Sequence, residues 1–389
     1  MMRNQKIKKT LFFTAAASML LSGRVLASPP FARTEQEWQS LRDNKLEYAE
    51  IRDLIHEYNA SVRQNNIDLS TFKKDYGRTN SKVSDAYREM ANDILSNITE
   101  PDPDSMFYAS AAAAALQART QADNLMKTAD ETLEDAEIFR LNYENAEMQL
   151  VQSAQNNMIS YYDKLLALDK AKSDHETAKL DFDISKIRLN AGMATRMDVL
   201  SAEETVLKSE QEIRDAESEA NTVKQILMLS CGWSYNASPE FGELPKPDLA
   251  RIETMNPELD REKAWENNYT LRVNLRKLEN AKTQDQKDKL DQSIANNRNN
   301  ISASLTEAYR NVIAARDAYT YAKSNLDLQE KNLETAKHKS AVGMISRVEL
   351  SKAEAESKAA DIAYRRSELA LLQAINAYDW TLAGLAKAD

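Results

Sequence analysis

The chain has 389 residues, a formal net charge of −10, and only seven glycines and eight prolines. That punctuation is too sparse for the many tight turns of an all-β fold, and the acidic balance disfavours nucleic acid or an anionic lipid surface as the main partner. The single cysteine, Cys231, excludes an intrachain disulfide.

In chain order, the N-terminus reads "MMRNQKIKK", then "TLFFTAAASMLLSG", then Val25-Leu26-Ala27. A basic segment, a short apolar run and a small residue predict a secretory signal peptide over 1–27, cleaved after Ala27, and hence an exported protein. The apolar run falls short of the roughly 20 residues of a spanning helix, which favours cleavage over a permanent anchor. No later segment has the length and apolarity to span a bilayer as a helix. Cys231 lies too far from the cleavage site to carry an N-terminal lipid.

From Asp104 to Ala191 there is neither Gly nor Pro, and the same holds from Glu258 to Val342. Such runs, rich in Ala, Leu, Glu, Lys and Gln, predict long helices or helical hairpins. Between them the Pro/Gly-rich stretch 231–258 divides the chain. The expected layout is therefore a first helical hairpin repeat over 28–230 with its turn at 190–196, a linker at 231–258, and a second repeat over 259–389 with its turn at 341–347.

Helical phase supports a duplication. Leu305, Val312, Tyr319, Leu326 and Leu333 recur every seven residues, alternating with Ala308, Ala315, Ala322, Gln329 and Ala336. The first repeat has Leu168, His175, Phe182 and Leu189 alternating with Ala171, Ala178 and Ser185 at matching distances from its turn. One large and one small seam position per heptad lets helices approach closely. Beyond the turns the seam resumes with Val206, Ser209, Ile213, Ala216, Ala220, Val223 and Leu227, and with Ser357, Ala360, Tyr364, Ser367, Leu371, Ala374 and Tyr378. Each repeat thus predicts a long helix, a sharp turn, and a returning helix of about 35 residues. A weaker echo, "HEYNASVRQN" (56–65) and "WENNYTLRVN" (265–274), aligns Asn59 with Asn268. The first repeat is longer between that asparagine and its turn, so extra length is expected within its arms.

The turns themselves are near copies: "AGMATRMDVL" (191–200) and "VGMISRVEL" (342–350). Glycine permits the positive φ that reverses a chain, and Thr195 and Ser346 are placed to cap the returning helix. Asp198 and Glu349 then stand in its first turn, where negative charge is favoured. Capping alone accounts for these residue types. It does not account for the recurrence of Met193 and Met344, or of Arg196 and Arg347, and an exposed methionine beside a turn suits contact with a partner helix.

Gly192, Thr195, Asp198, Val199 and Ala202, and again Gly343, Ser346, Glu349, Leu350 and Ala353, follow Gly-x-x-[Thr/Ser]-x-x-[Asp/Glu]-[Val/Leu] before a long small/large helix. In this the sequence resembles the TolC-type outer-membrane efflux protein family over roughly 45–385. The resemblance implies an all-α protomer of elongated, tandem-repeat helical hairpins with coiled-coil packing and little or no β-structure. It implies a homo-oligomer, three copies in that family, forming a hollow helical barrel. The glycine turns become tips that meet the helical hairpins of an adaptor of the membrane-fusion type, itself part of an inner-membrane pump. Gly192, Met193, Thr195, Gly343, Met344 and Ser346 are then the adaptor-binding candidates, and Asp198 and Glu349 the tip or pore acids. Lys352 stands where a further acid would complete the inner ring.

One part of the family pattern is missing. A pair of alternating strands is expected in each repeat to build a membrane barrel. "NITEPDPDSMFYAS" (97–110) has room for a loop only, and 276–304 is polar and helix-favouring throughout. An outer-membrane address follows from the resemblance and not from any strand pair.

Catalysis finds no foothold. His56, His175 and His338 are far apart in sequence, with no metal-ligand spacing, and His175 falls on the packing seam. The tyrosines of the helices, among them Tyr161, Tyr162, Tyr309, Tyr319, Tyr364 and Tyr378, read as interhelical packing. No cofactor and no enzymatic activity is expected. The sequence points to an exported conduit subunit of an efflux or type I-like secretion system. The alternative is a coiled-coil scaffold of the cell envelope with no channel.

Overall fold

A computed structural model describes residues 33–235 and 237–389; the leader expected at 1–27 lies outside them. The described residues up to Lys45 belong to one compact unit and those from Leu46 to Asp389 to another. In the first, α1 (Glu35–Ser40) starts at a capping box between Thr34 and Glu37. The Trp38 ring lies 5.3 and 5.1 Å from the Arg33 and Arg42 guanidinium carbons.

The second unit repeats one plan. Its first copy runs through a 3-10 turn (Tyr48–Glu50), α2 (Ile51–Tyr58), α3 (Ala60–Asp75), α4 (Asn80–Ser96), α5 (Tyr108–Glu131), α6 (Ala136–Asn190) and α7 (Arg196–Ser230). The connecting stretch carries β2 (Glu240–Phe241) and α8 (Leu249–Thr254). The second copy is α9 (Pro257–Asn267), α10 (Tyr269–Asn280), α11 (Gln284–Ala341) and α12 (Arg347–Trp380), closed by a π-turn (Thr381–Leu385). Strand is confined, among the described residues, to β1 (Lys45–Leu46) and β2; the Leu46 carbonyl accepts from the Gly242 N–H at 2.9 Å. The class is all-α, as the composition requires.

The helices are shorter than the stretches free of Gly and Pro, because side-chain caps also break them. The 104–191 run is interrupted where Asp135 accepts from the Glu137 and Ile138 N–H groups, both at 3.0 Å, and starts α6. The 258–342 run breaks at Asn268 and again before α11, where Thr283 and Gln286 form a capping box. Helices α6 and α11 therefore have 55 and 58 residues, or about 83 and 87 Å at 1.5 Å per residue.

Pairing follows the heptads. Helix α6 packs along α7, and α11 along α12. Every seam position of the returning helices, Val206 to Leu227 and Ser357 to Tyr378, is buried or half-buried. The cover is uneven, however. Leu305, Ala308, Val312, Leu371, Ile375 and Tyr378 lie in a closed core with α9 and the π-turn. Farther out, no residue from 313 to 356, and none from 179 to 208, is fully buried. These outer stretches are two-helix ribbons, and a ribbon of two helices leaves its seam open to one side.

At the closed end each copy is fastened by the aligned asparagine. Asn59 accepts from the Ser61 and Val62 N–H groups to cap α3, and its amide donates to the Ser230 carbonyl at the end of α7, at 2.8 Å. Asn268 caps α10 by accepting from Leu271 and donates to the Gly384 and Ala386 carbonyls past α12, at 3.1 and 2.9 Å. Gly232 and Gly384 make room for this approach. Both have positive φ, and a Cβ would stand 2.4 Å from Tyr58 Cβ and from the Asn267 carbonyl oxygen respectively.

The two copies are joined by ties between α6 and the second repeat. Arg276 and Asn280 both donate to Asp135 Oδ2, at 2.7 and 3.0 Å, Trp380 donates to Gln155, and Arg366 grips Asp163 with both ends of its fork at 2.6 and 3.0 Å. The extra length of the first repeat is a third hairpin, α4–α5, inserted between α3 and α6. The corresponding place in the second repeat is the turn Ala281–Thr283. That turn reaches the hairpin's base: Lys282 Nζ donates to Ser84 Oγ and to the Ala129 carbonyl at 3.2 and 2.8 Å.

Replacing Asn268 by Ala removes a cap and two bonds to buried carbonyls, at about 1 kcal/mol each. Asn268→Ala should lower stability by about 2–4 kcal/mol in urea unfolding followed by circular dichroism, and Asn59→Ala by somewhat less. Equal midpoints for Asn268→Ala and wild type would show that these bonds do not hold the repeat together.

Candidate partner-binding turns

The two turns are built alike, bond for bond, from the C-terminus of one helix and the N-terminus of the next. Gly192 has φ 71° and Gly343 φ 75°. In the first turn the Gly192 N–H donates to the Leu189 carbonyl at 2.9 Å and Met193 N–H to Arg188 at 2.8 Å. In the second, Gly343 donates to Ser340 at 3.0 Å and Met344 to Lys339 at 2.8 Å. This is the left-handed glycine closure that satisfies the last carbonyls of a helix. A Cβ added at either glycine meets nothing within 4 Å among the described residues. The requirement at these two positions is therefore one of backbone φ alone, unlike the crowded glycines at the closed end.

The returning helices start at reciprocal capping boxes. The Asp198 N–H donates to Thr195 Oγ1 at 3.2 Å, while Asp198 Oδ2 accepts from the Thr195 N–H and hydroxyl at 2.7 and 2.8 Å. The Glu349 N–H donates to Ser346 Oγ at 3.2 Å, and Glu349 Oε2 accepts from the Ser346 N–H and hydroxyl, both at 2.8 Å. Backbone and then side-chain bonds from Thr195 and Ser346 hold both carboxyls below their usual ranges. Thr195, Ser346, Asp198 and Glu349 are thus engaged in the turn itself. In each acid one oxygen serves the cap and the other is left to solvent.

What the turns present outward is apolar. Met193 is 69% exposed and Met344 75% exposed, beside the equally open Ile187, Met197, Leu200 and Val342. The pairs Met193/Met344 and Arg196/Arg347 occupy equivalent positions, while Ala194 and Ile345 are half-buried beneath the turn. The sequence reading did not pick out Met197. Its signal was an apolar residue in the first turn of α7, one step before the capping acid, where a solvated cap has no use for one.

The histidines do not converge. His175 is buried in the α6–α7 seam with Nδ1 2.8 Å from Ser209 Oγ, His56 Nδ1 lies 2.8 Å from Glu147, and His338 is exposed near Glu334. Among the described residues no group of three or more His, Cys, Asp or Glu could hold a metal ion, and no helix is long and apolar enough to cross a membrane. The tyrosines pack between helices: Tyr319 and Tyr364 share a hydroxyl contact at 3.0 Å, and Tyr378 donates to Asp260.

A duplicated pair of long helical hairpins, closed at one end and turned on bare glycine at the other, defines a class with known structures. The fold is that of the TolC-type outer-membrane channels. The outer-membrane channel OprN superposes with a TM-score of 0.56 at 12% identity, over 89% of this chain and 92% of that one. A membrane protein from Pseudomonas aeruginosa gives 0.53 at 12% identity, over 86% and 93%. The Campylobacter jejuni CmeC outer membrane channel gives 0.51 at 11%, over 90% and 88%. No family model and no curated protein sequence matches the chain.

The capping acids make the turns sensitive to acid. Each carboxyl is held lower in the folded turn than in the unfolded chain. Its contribution is fully present above the unfolded value and is lost as pH falls through the lower, folded one. The Thr195 and Ser346 amide protons should keep their bonded NMR shifts down to that lower range and then move together with the titrating carboxyl. Asp198→Asn and Glu349→Gln should abolish the movement; a shift that persists in either variant would assign it to another group.

Proposed function

We propose that the protein is the conduit subunit of a multi-component efflux or type I-like secretion system of the cell envelope, assembled from several copies of this chain. The observation that carries this reading is the open seam of the outer hairpins. Residues 179–208 and 313–356 have half-covered heptads and no buried residue, over about 18 Å of α6, 20 Å of α7, 44 Å of α11 and 15 Å of α12 at 1.5 Å per residue. Leu200, Leu207, Tyr321 and Leu328 stand exposed on the same stretches. Single apolar side chains on a surface need no explanation, but pairs spaced by seven residues off a hairpin's own seam are what neighbouring hairpins cover. Copies set side by side would close each ribbon. Likeness to channels at 11–12% identity supports the fold and the kind of assembly.

In this reading Gly192, Met193 and Thr195, with Gly343, Met344 and Ser346, dock an adaptor protein of the membrane-fusion type, which couples the conduit to an inner-membrane pump. The glycines and hydroxyls shape the turn, and the methionines touch the partner. Asp198 and Glu349 keep a negative charge beside each contact. The chain performs no chemistry; substrate choice and energy reside with the pump.

Native mass spectrometry of residues 28–389 should give an oligomer, with three copies expected. A strict monomer at high concentration would favour a scaffold that satisfies its seams within one molecule. Gly192→Val combined with Gly343→Val places β-branched residues at positive φ, at a cost of about 1–2 kcal/mol per site. The double variant should still fold, yet lose adaptor pull-down and export. Undiminished pull-down of the cognate adaptor would remove the turns from the docking site.

A further inference from the structure

The α4–α5 hairpin has no counterpart in the second repeat, and its far end is unlike its base. Near the base the two helices close on each other through Val83, Ser84 and Ala91 against Ala122 and Ala129, all buried. Toward the far end the seam opens. Ala111, Ala114, Ala115 and Ala118 on α5 are too small to fill the space facing Ile94 and Ile98, and a groove of about 570 Å³ remains between the helices. At the same end Met106 is 89% exposed and Phe107 67% exposed, with Tyr108, Leu116 and Leu95 also open. An alanine floor flanked by larger apolar groups is a surface on which another helix can lie at short distance.

Charge narrows what that helix is. Between Asn80 and Glu131 nine carboxylates face four basic side chains, and the far end is more one-sided still. Asp93 lines the groove, Glu100, Asp102 and Asp104 stand in the loop that follows α4, and Arg119 pairs with Glu100 at 2.5 Å. A second copy of the hairpin would bring like charges together, and an anionic lipid surface would be repelled. The remaining fit is a segment of opposite charge with one apolar face.

We propose that the α4–α5 groove docks a cationic amphipathic helix of a partner protein, its apolar face on the alanine floor and its basic face toward the surrounding carboxylates. The site is separate from the glycine turns. Helix α6 begins at the hairpin's base and reaches the Gly192 turn about 83 Å later, whereas α5, with 24 residues, spans only about 36 Å. The proposal does not depend on the conduit reading, since the groove is complete within one chain.

The test uses residues 28–389 and a fluorescein-labelled 18-residue Leu/Lys amphipathic peptide as probe, followed by anisotropy at low and high salt. The Leu/Lys peptide should bind, and a Leu/Glu peptide of the same pattern should not. Ala114→Trp, which fills the groove from an exposed helix position, should weaken binding at least tenfold, while Ala114→Ser should change it little. The triple variant Asp93→Asn, Asp102→Asn, Asp104→Asn should weaken it comparably and flatten the salt dependence. Circular dichroism identifies any variant that fails to fold, and the remaining one decides. Unchanged binding in both variants overturns the proposal, because the peptide would then be answering to the chain's general charge. So does an Ala114→Trp variant whose sole change is a smaller native mass, which would assign the groove to a second copy. Co-sedimentation with phosphatidylcholine vesicles that is lost in Phe107→Ser would instead assign this end to a lipid surface.

Discussion

Everything in the larger unit hangs on two asparagines that each do two things at once. Asn59 and Asn268 cap the helix that follows them and, with the same amide, hold the carbonyls at the end of the returning helix. A two-helix ribbon buries too little to fix its own end. Binding the last turn of α7 to the start of α3, and the segment just past α12 to the start of α10, converts each hairpin into an arm rooted in a core. The amide suits this because it carries an acceptor for the cap and donors for the carbonyls in one side chain. A carboxylate lacks the donors and a hydroxyl the reach.

Four glycines mark the two ends of these arms, and their surroundings separate the roles. At Gly232 and Gly384 a side chain has nowhere to go, since neighbouring atoms would sit 2.4 Å from its Cβ. These glycines serve packing. At Gly192 and Gly343 the space outside is empty and the φ angle is the whole constraint. A turn needs nothing more than that, yet exposed methionines stand beside both, with Ile187 in one copy and Val342 in the other also open among the described residues. Exposed apolar groups at the end of an arm that already satisfies its own backbone are the physical reason to regard the turns as contacts.

The period of the helices was legible in the sequence because a heptad needs only apolar spacing. The turns were legible because left-handed glycine and a capping pair leave few alternatives. Element ends were harder. Asp135 and Thr283 interrupt stretches with no Gly or Pro, and a capping residue in mid-run looks like any polar surface residue until its N–H donors are seen. The closed end was half visible: Asn59 and Asn268 could be aligned, but their bonds span 171, and 116 and 118, positions, beyond any local pattern. The α4–α5 hairpin was foreseen only as surplus length. Its alanines announce a helix but not what lies beside them.

The duplication is preserved at one end and abandoned at the other. At the turns the copies match in every backbone bond and differ in size, with Ala194 opposite Ile345 and Met197 opposite Val348. A partner that engages the turns therefore meets two related but unequal sites per chain. At the far end one copy has a hairpin of 52 residues between Asn80 and Glu131 and the other a turn of three, Ala281–Thr283. Lys282 from that short turn latches the base of the long hairpin, so the two copies are joined at this end. A partner there meets one site per chain. The two ends therefore differ in number as well as in kind of exposed surface: two unequal turns at one, a single hairpin at the other.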